Sequence, residues 1–245
     1  MRQAVSAFLV LAWSVSLAGA SPSPNPSDFA ATGMDRLQQI VGQQSLQAKV
    51  VMTLTSSMRP DKTKVSPMEF GMMMSKGLFR LDLDLAKMTA AAGGDAGGLP
   101  PAMAKMINIS RPDRKVVYMV MPGLNGYVET PIPEPPAGAK VEAAKAVRTV
   151  EGTEKIGGYE CKKVRNTVTT PDGTQSEVVT WEAQALQGLP IKMETETPSG
   201  KLTMTFTDIK TDEPDAALFE PPKGCKKQAS MQAMMMSGMM NRMQD

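Results

Sequence analysis

Histidine is absent from the chain. Its absence removes the usual general base of serine and cysteine hydrolases and the commonest zinc ligand. Aromatic residues make up only 4% of the sequence, too few for a base-stacking surface, and a formal net charge of +2 exerts no pull towards nucleic acid. No serine stands in a G-x-S-x-G context and no phosphate-binding loop is present. Asp82 and Asp84 lie two apart on one strand face, but Arg80 beside them marks a solvated charged surface rather than an acid/base pair. The sequence therefore offers no catalytic residue, no histidine-based or carboxylate-based metal site and no cofactor site, and points away from an enzyme.

Long apolar runs are also missing after the first residues. Arg2, the short apolar stretch Ala7–Ala18 and the Ala18-Gly19-Ala20 site predict a secretory signal over residues 1–20, not a membrane span. Ser21 stands where a lipoprotein would need cysteine. The expectation is an exported, periplasmic chain without a transmembrane span. Residues 21–27 (SPSPNPS) read as a mobile linker. About 220 residues remain after cleavage, enough for one domain with its own core. The chain has two cysteines, Cys161 and Cys225. In an exported protein they are expected to pair, stapling the C-terminal segment to the sheet.

What the sequence does contain is period-2 alternation. In Pro67–Leu85, Met68, Phe70, Met72 and Met74 share one parity. After Lys76-Gly77, Phe79, Leu81, Leu83 and Leu85 share another, with Arg80, Asp82 and Asp84 opposite. This is the pattern of a half-buried antiparallel sheet. Further strands are expected at Ser45–Ser56, Met106–Ser110, Lys115–Met121, Gly126–Glu129, Thr149–Ile156, Tyr159–Thr169, Gln175–Glu182, Leu189–Thr197 and Lys201–Ile209. Lys115–Met121 is apolar on both parities and is expected to be covered on both sides. Helices are expected near residues 28–41, around Pro101–Met106 and from Lys140 to Val147, with a small-residue loop from Thr89 to Pro101. The inward set Phe70, Met72, Met74, Phe79, Leu81, Leu83, Trp181, Met193, Met204 and Phe206 either lines a ligand cavity or fills a core. Sheet width against helix content favours the cavity.

Methionine is abundant, with 22 residues, and the end of the chain, Ser230–Asp245, is a methionine tract interrupted by Gly238. Three readings stand side by side. Thioethers bind Cu(I) without help from histidine or cysteine. Alternatively, Met231, Met235 and Met239 form one stripe and Met236, Met240 and Met243 another, giving an apolar helix that docks on the barrel mouth or a membrane. The third reading is an unstructured tail.

Four segments, taken in order, resemble the periplasmic lipoprotein-carrier (LolA/LolB-like) family. They are the N-terminal helix followed by a long strand, GLFRLDL (Gly77–Leu83), ISRPDRKVVYMVMPG (Ile109–Gly123), and GLPIKMET (Gly188–Thr195) with the closing Asp215-x-x-x-Phe219-x-x-Pro222-x-Gly224. The resemblance covers most of residues 28–224 and implies a mainly β fold. That fold is an antiparallel incomplete barrel of about eleven strands, covered by short helices, with an apolar cavity for acyl chains. Residues 225–245 form a methionine-rich tail beyond it. The reading that follows is a non-enzymatic periplasmic domain, carrier-like or a sensor. Its ligand is a lipid or the acyl chain of an acylated protein, with room for an envelope-protein partner. Two alternatives remain: a methionine-based copper-binding protein, and a structural or partner-binding domain whose barrel is filled.

Overall fold

A computed structural model describes residues 45–56, 67–91, 98–132, 145–169, 175–197 and 200–242. The helix expected near residues 28–41 lies outside them.

Twelve strands form a single sheet: β1 Leu46–Ser56, β2 Met68–Ser75, β3 Leu78–Asp84, β4 Lys105–Arg111, β5 Val116–Met121, β6 Gly126–Pro131, β7 Lys145–Ile156, β8 Tyr159–Thr169, β9 Gln175–Ala183, β10 Leu189–Thr197, β11 Gly200–Lys210 and β12 Lys226–Gln228. Their order is β12-β6-β5-β4-β3-β2-β1-β11-β10-β9-β8-β7. Two meanders, β1–β6 and β7–β11, meet where β11 pairs antiparallel with β1. The sheet has two ends and does not close, as an open half-barrel requires. Two of its hairpins turn on consecutive residues of positive φ, Lys76-Gly77 and Gly157-Gly158. Such turns match the twist of the strands they join.

Among the described residues the α-helices are α1, Leu85–Ala91, and α2, Met231–Arg242. Leu85 thus leaves the strand face on which the alternation places it. Asp84 accepts a hydrogen bond from the Lys87 backbone N–H at 3.0 Å, and LAKMTAA contains good helix formers, so a helix replaces the start of the expected loop. The expected Pro101–Met106 helix is a single 3-10 turn, Pro101–Met103. Lys145–Val147 belongs to β7, so the helix expected there is overturned over those residues.

Both faces of the sheet carry core. The face bearing Val50 and Met72, called inner here, holds one group that includes Leu46, Met74, Phe79, Met193 and Phe206. Beside it lies a second group, Leu83, Met106, Met121 and Met234. On the outer face Phe219 packs with Ile109, Tyr118 and Val120. β5 is accordingly covered on both sides, as its apolar parities require. Phe219 comes from the segment that follows β11. Arg80 holds that segment by donating to the Leu218 carbonyl at 2.8 Å, and Arg111 by donating to the Phe219 carbonyl at 3.3 Å.

The expected disulfide does not form: Cys161 and Cys225 are both free. Cys161 lies in β8, near one end of the strand order, whereas Cys225 immediately precedes β12, at the other end, and packs against the outer group of Ile109, Tyr118, Val120 and Phe219. Pairing would require Cα atoms within about 7 Å, and the strand order separates the two thiols.

Candidate functional site

The inner face is built by register. Met193 pairs with Met204, Met204 with Met52, and Phe206 with Val50. Val50 pairs with Phe70, Ala48 with Met72 and Leu46 with Met74. Across the next ladder Phe70 meets Leu83, Met72 meets Leu81 and Met74 meets Phe79. These pairings bring Phe70, Met72, Met74, Phe79, Leu81, Leu83, Met193, Met204 and Phe206 onto one continuous surface.

Trp181 is buried in the same core group as Met193 and Phe206, but it is not in this row of paired residues. Its neighbour Thr180, not Trp181, pairs with Met193, while Trp181 pairs with Lys192 and Lys163. The ammonium groups of Lys192 and Lys163 lie 4.1 Å and 5.5 Å from its ring centroid, a cation–π arrangement. Its indole N–H donates to Glu154 at 2.9 Å. A register shift between Pro190 and Lys192 changes which parity of β10 matches β9, and sequence alternation cannot register that extra residue.

Burial along the inner face is graded. At one end Leu46, Met74, Phe79 and Phe206 are all 5% exposed or less. Towards the other end Met52, Leu54, Met68, Phe70, Leu202 and Met204 are only half-buried. These six are neighbours: Met52 pairs with both Met68 and Met204, and Leu54 pairs with Leu202. They form one apolar patch without a charged side chain. Met52, Leu54, Met68 and Leu202 extend the expected site. Their signal was the same alternation, in the unbroken row Met52–Leu54 opposite Leu202–Met204.

The inner face also carries polar groups that sequence reading missed. Asn108 and Ser110 of β4 pair with Leu81 and Phe79, and are 2% and 1% exposed. On the far wing Asn166 donates to Thr180 at 3.2 Å, and Arg148 donates to both oxygens of Glu182 at 2.6 and 2.9 Å. On the outer face Glu194 lies between Lys192 and Lys201 at 2.8 and 2.5 Å. Burial alone would raise its carboxyl, but hydrogen bonds from the two lysines hold it below the usual carboxylate range.

Next to the patch lies a methionine-rich group. Met88 of α1, Met103, Met106 of β4, Met119 and Met121 of β5, and Met231 and Met234 of α2 pack together with Leu83, Leu85 and Leu124. α2 is a docked helix rather than an unstructured tail. Ser230 caps it, its hydroxyl accepting from the Ala233 N–H at 3.1 Å. The docked stripe is Met231, Met234 and Gly238, while Met236 is 59% exposed. Gly238 does not interrupt the helix. A β-carbon there would stand 2.5 Å from Leu124, so glycine allows the close approach. Among the described residues no group of His, Cys, Asp or Glu is arranged to hold a metal, and no helix is long and apolar enough to cross a membrane.

No protein-family model matches the chain, and no curated protein matches it in sequence. Several solved structures are similar to it. A LolA superfamily protein from Nitrosomonas europaea is 13% identical, with 78% of this chain and 99% of that one covered and a TM-score of 0.29. The Mycobacterium tuberculosis lipoprotein LppX is 11% identical over 78% of this chain and 97% of that one, with a TM-score of 0.41. Pseudomonas aeruginosa MucB, in its complex with MucA, is 17% identical over 81% of this chain and 62% of that one, with a TM-score of 0.42. At TM-scores below 0.5 these likenesses decide nothing about function, which has to rest on the chain's own residues.

Proposed function

We propose that this chain is a non-enzymatic periplasmic domain, carrier-like or a sensor, that holds a hydrophobic ligand on the inner face of its sheet. The ligand class is the acyl chain of a lipid or of an acylated protein. The observation that carries the reading is the graded burial of the inner face, from Leu46 and Phe79 inside to the half-buried patch of Met52, Leu54, Met68, Phe70, Leu202 and Met204. A strand-to-strand spacing of about 4.8 Å makes a twelve-stranded sheet far wider than the strip of about 10 Å that one helix covers. The described helices, of 7 and 12 residues, cannot span it. Thioether and benzyl groups adapt to flexible hydrocarbon, and the patch offers no charge that would select a soluble polar ligand.

A second reading, Cu(I) binding by thioethers, is favoured by the seven methionines of the group that includes Met234. Native mass spectrometry of gently purified protein separates the readings. Co-purified lipid supports the first and bound copper the second. If neither is present and a fluorescent fatty acid fails to bind, the face is simply a filled core.

A further inference from the structure

The two ends of the sheet are finished differently. At one end the edge strand β12 has only three residues and lies beside α2. At the other the edge strand β7 is twelve residues long, and among the described residues it pairs on one side only, with β8. Every residue from Val147 to Lys155 is exposed. Among the described residues the exposed large apolar side chains are Val147, Val150 and Met236, and two of the three sit on this strand. Open edges are ordinarily guarded by outward charge, proline, shortness or a bulge. β7 has a bulge between Val150 and Gly152 but no proline, and the charges at its centre are turned back onto its own sheet. Arg148 donates to Glu182, Glu151 accepts from Arg165, and Glu154 accepts from the Trp181 indole. The edge is left with unpaired backbone groups and a valine on each face. Val150 pairs with Val164 and so belongs to the inner face, whereas Val147 pairs with Thr167 and belongs to the outer.

We infer that β7 is a docking edge for a second copy of this chain, the two β7 strands pairing antiparallel about a two-fold axis through Thr149. Facing residues of an antiparallel pair point to the same side of the sheet, so a two-fold pairing must centre on a residue. Centred on Arg148 or Glu151, the strand sets like charges face to face, which is destabilising. Centred on Val150, it sets Lys145 against Lys155. Centred on Val147, it runs Val150 past the start of the opposing β7. Centred on Thr149, it opposes Val150 with Arg148 and Val147 with Glu151 of the second copy, and no like charges meet. The aliphatic stems of arginine and glutamate then cover the two valines, and the axis carries a threonine pair, which is favourable across strands. An edge whose central charges are already neutralised, and which meets itself without a charge clash, fits another copy better than it fits a charged partner. The pairing keeps both sheets the same way up, so the two inner faces open on one side of the joined sheet. Contact along one edge strand is smaller than a standard interface, and the dimer therefore forms with concentration rather than permanently. The inference is independent of the hydrophobic-ligand reading.

The test uses the full chain. Sedimentation velocity from low micromolar to submillimolar concentration should show a reversible monomer–dimer equilibrium. Val150→Lys sets a second cation opposite Arg148 of the other copy, at a position already exposed. It should weaken the dimer about tenfold, since the axis repeats the contact, and leave the melting temperature unchanged. Val147→Cys, Thr149→Cys and Val150→Cys, made singly, read the register. Across the axis the Thr149 Cα atoms would stand about 4.5–5.5 Å apart, within reach of a disulfide, whereas each valine is offset from its own counterpart. Under mild oxidation Thr149→Cys alone should give a cross-linked dimer, with the wild type as the blank for Cys161 and Cys225. Cross-linking through Val147→Cys or Val150→Cys instead, or a dimer indifferent to Val150→Lys, would overturn the pairing. A chain that stays monomeric throughout would overturn it as well. In that case hydrogen exchange tells why: protected β7 amides would mean that another part of the chain covers the edge, and unprotected ones that the edge stands bare. The ligand reading survives each of these outcomes, because the lipid and probe assays decide it separately.

Discussion

Gly123 lies directly against the backbone of Ala102. A β-carbon on Gly123 would stand 2.5 Å from the Ala102 carbonyl oxygen and 2.8 Å from its Cα. The contact joins the Pro101–Met103 turn before β4 to the Pro122–Leu124 turn after β5, and Leu124 is the residue that Gly238 of α2 approaches. Main chain cannot swing aside as a side chain can. Gly123→Ala should therefore cost about 2 kcal/mol through overpacking, whereas Gly98→Ala, with nothing within 4 Å, should change little. Urea titrations of the two variants measure the difference.

The outer strap gives a pH signature. Arg111 donates Nε to one Asp113 oxygen at 2.9 Å and Nη2 to the other at 2.8 Å, and turns Nη1 to Phe219 and Glu220. The Arg111 hydrogen bond, against the opposing effect of burial, holds the Asp113 carboxyl below its ordinary value. The folded state then binds the proton more weakly than the unfolded chain does. The pair's contribution is present above the unfolded aspartate range near about pH 4 and is lost as pH falls through the lowered folded value. Asp113→Asn should lower stability at neutral pH and flatten the acid limb of a plot of melting temperature against pH. An unchanged acid slope in that variant would mean the pair contributes nothing.

How far the sequence reaches depends on whether a residue's surroundings obey simple alternation. In β2 and β3 they do, because one inner row and short turns leave no room for a change of parity. Trp181 joins the same core group but falls outside the paired row, because the extra residue near Ile191 shifts the register against β9. Asn108 and Ser110 escaped for a different reason. In MINIS the isoleucines look like the core row, yet Ile109 is buried on the outer face against Phe219, which arrives from more than a hundred residues away. No local pattern announces such a cover. The helical tail was readable as an option, but its docked stripe was not. Gly238, read as an interruption, is the point of closest approach to Leu124.

The thiols should behave as two separate groups. Cys161 is wholly buried and Cys225 partly so, and burial raises both above the ordinary thiol value. Thiol counting on denatured, unreduced protein should return two free thiols. In the folded state a maleimide pulse should label Cys225 first, with Cys161 reacting only after unfolding. A count of zero would restore the disulfide and overturn the separation of the two wings.

Met234 and Met236 are two residues apart on α2 and should differ sharply. Met234 is 1% exposed, with its sulfur over Gly126, whereas Met236 is 59% exposed. Met234→Ala should cost about 3 kcal/mol, within the range for buried methionine, and should free α2 to limited proteolysis. Met236→Ala should stay within about 0.5 kcal/mol of the parent. The same pair examines the copper reading. If thioethers of this group hold Cu(I), Met234→Ala should lower copper uptake as well as stability. If they only pack, stability should fall alone.

The inner patch gives the remaining test, because a core and a binding surface respond oppositely to charge. Met204 is half-buried on β11, beside Met193 and Met52. Met204→Lys keeps a long flexible stem and places an ammonium where hydrocarbon would lie. A side chain already half in water can extend its charge to solvent without unfolding the sheet. The hydrocarbon of a ligand has no such escape. Met204→Lys should therefore weaken a fluorescent fatty-acid probe at least tenfold, while the melting transition remains cooperative and shifts by only a few degrees. Phe206→Lys, at 4% exposure on the same strand, should instead unfold the protein. Lys210→Glu, exposed at the end of β11, serves as the neutral control for both. Collapse of the Met204→Lys melting transition together with that of Phe206→Lys, in a wild type that binds no probe, would make the whole face core and end the carrier reading.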